Sequence, residues 1–303
     1  MKERKPNLGL SRICRLFGIT RQAYYQYLDR NIDLELEDEL IIKEVHRIRK
    51  QHPRMGVRKL YVKLEDFMLE HQIKMGRDAL FDLLSIHNLL IRRRKRIIKT
   101  TQSHHWLKKY PNLIKSLTVS RPHELLVSDI TYWKTKNQVL YIHLVTDAYS
   151  RKIVGYCLSQ TLEAHHSIQA LKMALSALGG TENNLSVTHH SDRGVQYCSQ
   201  KYVNLLEENN IQISMTENGD PLENALAERV NGILKEEYLY NYIVENFNEA
   251  KELLDAIIKL YNNERPHMSI GYITPEKVHS KELEKGNCKW KNYYQKKDTV
   301  NEF

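Results

Sequence analysis

The sequence of 303 residues predicts an α/β protein in which a mixed five-stranded sheet with flanking helices follows an all-α region. Two observations predict this order. Runs rich in β-branched and aromatic residues alternate with helical patterns after residue 121, whereas helical periodicity and turn signals dominate the chain before it. No run of about eighteen apolar residues is present, so the sequence predicts no membrane span.

The front of the chain predicts a helix-turn-helix over residues 1–30. A helical pattern is followed by a turn at Gly18 and by a second helix that Thr20 would cap. In this motif the second helix enters a DNA groove, where it would present Arg21 and Gln22. Plain packing of the two helices is the alternative interpretation.

Residues 31–96 predict a second helical module. An amphipathic helix over 34–50 is followed by a helical pattern that runs from about 52 to 84. We interpret the module as another DNA-binding element, in which Arg58 and Lys59 are candidate contacts. It ends in a run of cations that favours phosphate contact over a merely solvated surface: Arg92, Arg93, Arg94, Lys95 and Arg96.

The core is predicted over residues 121–245, between a linker at 97–120 and a C-terminal helix and tail at 246–303. Short turns join the first three strand patterns, which suits an antiparallel meander. The strand patterns lie at 124–133, 138–147, 151–159, 185–190 and 211–214, and the helical patterns lie at 162–178, at 199–209 and around Glu228.

Three acidic residues of this core are candidate catalytic groups. Asp129 lies within a strand pattern, Asp192 directly follows another, and Glu228 lies inside a helix after 35 further residues. An unpaired aspartate in a buried strand is costly without a cation. Three carboxylates from separate elements are what a pair of magnesium ions needs to act on a phosphodiester, so we predict a two-metal site.

Glu228 is preferred over its acidic neighbours because Asp220 and Glu223 have structural roles at the predicted helix start. Asp220 would be the N-cap, and Glu223 would be the capping-box acid that bonds back to it. Asn231 and Lys235 follow Glu228 on the same helix face and are candidate DNA contacts. That face suits a metal-bound phosphate beside a cationic clamp, and a solvated polar face is the alternative.

Three other ionisable residues near the acids are assigned structural roles. Asp147 precedes a turn signal and is expected to cap that turn. His189 and His190 adjoin Asp192, but the alternation of a strand sends their side chains to opposite faces. Packing or hydrogen bonding is therefore the expected role of both histidines.

The net charge of +9 is unevenly divided along the chain. Residues 1–120 hold 26 Lys and Arg against 13 Asp and Glu, whereas residues 121–303 hold 20 against 24. This asymmetry predicts that the front half of the chain binds DNA phosphates. The alternative is a basic surface that serves only solubility. The four widely spaced cysteines predict reduced thiols and a cytoplasmic protein.

Four motifs resemble, in order and spacing, those of the DDE transposases of bacterial insertion sequences, specifically the insertion-sequence-three group. They are Ser128–Tyr132, His190–Tyr197, Asn224–Arg229 and Tyr261–His267. The resemblance covers nearly the whole chain. It implies a ribonuclease-H-like core shared with retroviral integrases, dependence on divalent metal, and cleavage and transfer of strands at transposon ends.

The resemblance also implies roles for individual residues. It gives the acidic, catalytic roles to Asp129, Asp192 and Glu228. It gives a basic, DNA-binding role to Lys235. It places the segment Tyr261–His267 beside the active site, where Arg265 or His267 would touch DNA. A packed return of this segment across the core is the alternative.

The cofactors implied are two Mg²⁺ ions, for which Mn²⁺ would substitute. The partners implied are DNA, as terminal inverted repeats and as target, and further copies of the chain assembled on it. Fusion to the product of an upstream reading frame is frequent in the family. Two alternatives stay open: a metal-dependent ribonuclease-H-like nuclease without strand transfer, and an inactive DNA-binding transposase remnant.

Overall fold

The structure is a computed structural model that describes residues 9–92, 106–115, 117–178, 186–217 and 224–284. The chain divides into two compact units. One comprises Met1–Lys50 and Gly56–Leu90, and the other comprises Gln51–Met55 and Ile91–Phe303. Within the described ranges, no helix is long and apolar enough to cross a membrane.

The front unit is helical, as predicted. Its helices are α1 Leu10–Leu16, α2 Arg21–Gln51, α3 Val57–Glu70 and α4 Arg77–Ile86. Gly18 adopts a positive φ of 66° in the turn before α2, and the Thr20 hydroxyl accepts a hydrogen bond of 3.0 Å from the Ala23 amide. The turn and the cap predicted for the first two helices are therefore present.

The chain is helical without a break from Arg21 to Gln51, because α2 is a single helix of 31 residues. The segment has no proline or glycine between its ends, so nothing in it terminates the helix. The helix predicted over 34–50 is the second part of α2. A domain boundary at residue 30 stays a prediction, although a continuous helix crosses that position.

The other unit is built on one mixed sheet. Its strands are β1 Leu125–Lys134, β2 Val139–Asp147, β3 Ile153–Ser159, β4 Thr188–Ser191 and β5 Gln212–Met215. The order is β3-β2-β1-β4-β5; the first three strands are antiparallel neighbours, and β4 and β5 run parallel to β1. The predicted mixed five-stranded sheet and its meander are confirmed.

Helices cover both faces of the sheet. They are α5 Ala164–Ala177, α6 Val195–Cys198, α7 Gln200–Glu208, α8 Ala225–Ile233, α9 Phe247–Asn263 and α10 Pro275–His279, and a π-helical turn at Leu234–Tyr238 extends α8. On one face of the sheet, Trp133 of β1 packs with Val230 of α8 and Leu254 of α9. On the other face, Val145 of β2 packs with Leu171 of α5. The alternation of strand residues thus fills two apolar layers.

The described part of the predicted linker at 97–120 packs on this unit. Leu107 and Tyr110 contact the apolar layer that contains α5 and α7. The Leu113 amide donates to the Ser214 hydroxyl at 2.9 Å, and the Met215 amide donates to the Pro111 carbonyl at 3.2 Å. This part of the linker therefore borders β5, which would otherwise be an open sheet edge.

Gly155 lies where β3 approaches the backbone of α5 closely. A Cβ atom there would overlap the Ala170 carbonyl oxygen and would lie 2.9 Å from the Ala174 amide nitrogen. Because both neighbours are backbone atoms, Gly155→Ala is expected to lower the free energy of unfolding by about 1–3 kcal/mol. Urea denaturation would measure this change.

Gly232→Ala is the matched control for this measurement. A Cβ atom at Gly232 meets nothing within 4 Å, and this glycine lies inside a helix, so alanine should stabilise it slightly. Equal denaturation midpoints for the two variants would contradict a tight contact between β3 and α5.

Candidate active site

Two of the predicted acids meet on adjacent strands, at the point where β4 ends. The parallel register of β1 and β4 ends at the pair Ser128 and Ser191, and Asp129 and Asp192 each follow a member of that pair. β4 ends there, whereas β1 continues, so Asp192 stands at the carboxyl end of its strand beside Asp129. This is the edge at which open α/β sheets carry their sites.

The electrostatics of Asp129 show that these acids interact. Burial raises the pKa of Asp129 to about 7, and the nearby charge of Asp192 acts in the same direction. Hydrogen bonds from Asn231 and from the Ile130 amide oppose this rise, and the charge of Glu228 adds to it less strongly. The three acids therefore form one region of negative potential, in which a cation would favour the ionised carboxylates.

Glu228 lies in the first turn of α8, and its side chain is exposed. The start of the helix is tied to β1, because the Asn224 side-chain amide donates to the Ser128 carbonyl at 3.2 Å. In the described ranges no three His, Cys, Asp or Glu side chains are grouped to hold a metal ion. The structure thus brings Asp129 and Asp192 together. Glu228 is more exposed than these two acids, but it lies near enough for its charge to raise the pKa of Asp129.

The predicted helix start lies outside the described residues, which resume at Asn224. The capping roles expected of Asp220 and Glu223 therefore stay predictions. In the described part, the Asn224 carbonyl accepts from the Glu228 amide at 3.1 Å and begins the helical hydrogen bonds of α8.

Asn231 contacts Asp129 directly. Its side-chain amide nitrogen donates to Asp129 Oδ2 at 2.8 Å, and the residue is only 4% exposed. The spacing of Asn231 from Glu228 predicts a DNA contact, and that contact stays a prediction. The sequence did not reveal the contact with Asp129, because the two residues are 102 positions apart.

Lys235 lies over the aromatic ring of Tyr132 on β1, with its Nζ 4.4 Å from the ring centroid. Burial lowers the pKa of this ammonium group, and the charge of Asp129 opposes that change. The cation is therefore held near Asp129 by a cation–π contact while remaining partly accessible. A role against DNA phosphates stays a prediction.

Asp147 is a turn cap, as predicted. The carboxylate is fully buried and accepts hydrogen bonds from the Ser150 amide and the His123 amide, both at 2.7 Å, and from the Ser150 hydroxyl at 2.6 Å. Burial alone would raise its pKa, but hydrogen bonds from His279, Ser150 and His123 outweigh it and hold the pKa below its ordinary value. Its acceptor sites are thus used within the fold.

The two histidines before Asp192 are also structural, as predicted. His189 Nε2 lies 2.7 Å from the Ser128 hydroxyl, and burial lowers the pKa of its imidazole to about 3. His190 Nδ1 lies 2.8 Å from the hydroxyl of Ser214 on β5. Each ring holds two neighbouring elements together, and neither is placed as a base.

Arg265 and His267 are almost fully buried, at 3% and 7% exposure. The Arg265 guanidinium donates to both carboxylate oxygens of Glu237, at 2.8 and 2.9 Å. His267 Nδ1 lies 2.9 Å from the Ser269 hydroxyl. This geometry favours the packed return of Tyr261–His267 over a direct DNA contact.

The candidate DNA contacts of the front unit lie on two helices. Arg21 and Gln22 are exposed at the start of α2. In the first turn of α3, Arg58 is exposed and Lys59 is partly buried. Their contact with DNA stays a prediction. Of the cationic run, Arg92 is exposed, and the following residues Arg93, Arg94, Lys95 and Arg96 lie outside the described residues.

Comparison with known proteins identifies the class to which this core belongs. The chain matches the integrase core domain over residues 119–221 and, through a second profile of the same description, over residues 209–275. Together with the strand order, this match makes the core ribonuclease-H-like and the protein a polynucleotidyl transferase of the DDE type.

Two relatives from Shigella sonnei extend over most of the chain. The insertion element IS600 uncharacterized 31 kDa protein is 32% identical over 278 residues, which are 88% of this chain and 98% of that protein. The transposase for insertion sequence element IS629 is 27% identical over 88% of this chain and 90% of its own length. The chain belongs to the DDE transposases of bacterial insertion sequences.

A solved structure of the HTLV-2 integrase catalytic core domain in complex with magnesium is a more distant likeness. It is 20% identical, covers 52% of this chain and 97% of its own, and has a TM-score of 0.42.

Proposed function

We propose that this protein cleaves and joins DNA strands at the ends of an insertion sequence, with Asp129, Asp192 and Glu228 as its catalytic residues. The observation that carries the proposal is the position of Asp129 within β1, beside Asp192 at the carboxyl end of β4 and within reach of the charge of Glu228. The family membership supports the same reaction class. The assignment to the insertion-sequence-three group is part of the proposal.

The donor chemistry of the site fits divalent metal. Carboxylate oxygens are the ligands that Mg²⁺ prefers, and a bound cation would favour the ionised form of Asp129, whose pKa is raised by burial and by the nearby charge of Asp192. Asp129, Asp192 and Glu228 would hold two Mg²⁺ ions, for which Mn²⁺ would substitute. When bound, such a pair polarises a phosphodiester and activates the attacking oxygen.

The chain's own residues orient these carboxylates. Asn231 holds one oxygen of Asp129, and the Gly194 amide donates to Asp192 Oδ1 at 2.9 Å. Orientation of this kind reduces the rearrangement needed when the site is loaded. Lys235, near Asp129, would attract and position the DNA backbone.

We infer DNA and further copies of the same chain as the partners of this protein. The DNA substrates would be the terminal inverted repeats of the element and a target site, and pairing two ends would require several copies of the chain. Fusion to the product of an upstream reading frame would add further DNA-binding parts. A cytoplasmic location follows from action on bacterial DNA.

The reaction can be tested on three substrates with Mg²⁺ or Mn²⁺: DNA carrying the element's own ends, the same DNA with shuffled ends, and an RNA–DNA hybrid. We expect cleavage at the authentic ends, followed by joining of the freed ends to a second DNA. Cutting of shuffled DNA or of the hybrid without joining would indicate the nuclease alternative. Binding of the ends without cleavage would indicate an inactive remnant.

A further inference from the structure

The helix that carries Glu228 does not end as an ordinary α-helix. After α8 the chain continues without a break into the π-helical turn Leu234–Tyr238, where the Leu239 amide is directed at the carbonyls of Leu234 and Lys235. The first of these carbonyls lies five residues back rather than four. A π-helical turn therefore holds one residue more than an α-helical turn; such turns are rare, and many of those known lie at functional sites.

The additional residue sets the rotation of α8. Each residue of an α-helix turns the chain by about 100°. Two asparagines on the side of α8 that faces β1 are hydrogen-bonded to that strand: Asn224 to the Ser128 carbonyl and Asn231 to Asp129. Glu228 lies between these two asparagines in the sequence. If the same residues formed only α-helical turns while the chain beyond Tyr238 stayed fixed, this face would rotate by about 100° away from β1.

Two buried contacts hold the last residues of the π-helical turn. Glu237 forms the bidentate ion pair with Arg265 described above. The hydroxyl of Tyr238 lies 2.9 Å from His52 Nδ1. Tyr238 and His52 are both nearly inaccessible, at 0% and 1% exposure. Since a π-helical turn is less favourable than an α-helical one, fixed partners are needed to keep it.

We propose that Arg265 is a positioning residue for the catalytic glutamate: by holding Glu237 it maintains the π-helical turn, and the turn directs Glu228 and Asn231 toward Asp129. This gives the segment Tyr261–His267 a role inside the protein rather than on DNA. The effect on catalysis rests on the proposed function, whereas the effect on the rotation of α8 does not.

The activity test combines a substitution with a one-residue deletion. Arg265→Gln should lower kcat for end cleavage by roughly 100-fold, the scale expected when a reacting group is misplaced, with little change in the KM for DNA ends. Deleting Glu236, an exposed residue in the middle of the turn, removes the additional residue. In the Arg265→Gln background this deletion should therefore restore most of the lost rate with an ordinary α-helical turn.

A purely structural ion pair predicts the opposite outcome. If Arg265 only stabilised the fold, the deletion would add a second defect and the rate would fall further. A double variant that melts like the single variant but recovers no activity would overturn the proposal. The control is Glu276→Gln, which removes the partly buried ion pair with Lys152 elsewhere in the same unit and should leave the rate unchanged.

A second measurement reads the rotation of α8 without activity. Asp129→Cys and Asn231→Cys, introduced after the four native cysteines are replaced by serine, can be joined by a short bifunctional thiol reagent. The crosslink should form, be largely lost on Arg265→Gln, and return on deletion of Glu236. An unchanged yield on Arg265→Gln would refute the positioning role, even if the protein proved not to be a transposase.

Discussion

Asp192→Asn and Glu228→Gln are each expected to abolish DNA cleavage while leaving binding to the element's ends intact. Both changes keep the size of the side chain and remove a negative charge from the region around Asp129. Loss of several kcal/mol of charge stabilisation by the metal pair corresponds to roughly 10³-fold in rate. Cleavage of labelled end DNA and gel-shift titration would measure the two properties separately.

Glu217→Gln is the matched control for these variants. Glu217 lies between Asp192 and Glu228 in the sequence, but its carboxylate accepts a hydrogen bond from the Asn112 amide and forms an ion pair with Lys115. Cleavage should therefore persist in this variant. Loss of end binding together with cleavage in Asp192→Asn would argue against a purely metal-holding role for that aspartate.

The strands and the first two acids could be predicted because their signals are local. The alternation of residues around Asp129 and the turn signal after Asp192 place each acid on its strand, and short turns fix the meander. Parallel pairing of β1 and β4 then brings Asp129, within β1, beside the carboxyl end of β4. The position of Glu228 is harder to predict, because it depends on how α8 is rotated and not only on which residues are helical.

The contacts that set this rotation have no local signature. Asn231 meets Asp129 across 102 positions, and Arg265 meets Glu237 across 28. The residues of the π-helical turn are ordinary helix formers, so their sequence predicts an α-helix.

Asn231→Ala distinguishes the two roles that the sequence and the structure suggest for this residue. If Asn231 orients Asp129, its removal should lower the cleavage rate of bound ends by roughly 10–100-fold, as for other groups that orient metal ligands. If it contacts DNA instead, end binding should weaken while bound ends are cut at the normal rate. Single-turnover cleavage at saturating protein, compared with a binding titration, separates these outcomes.

Stability gives an independent indication that Asn231 serves the site. Its Oδ1 is buried without a hydrogen-bond partner among the described residues, an arrangement that costs about 1–3 kcal/mol. Asn231→Ala removes that cost together with the bond to Asp129, so we expect the melting temperature to change little. Asn204→Ala, at an exposed position on α7, is the control and should alter neither cleavage nor melting. A variant at Asn231 that unfolds readily would identify a packing role instead.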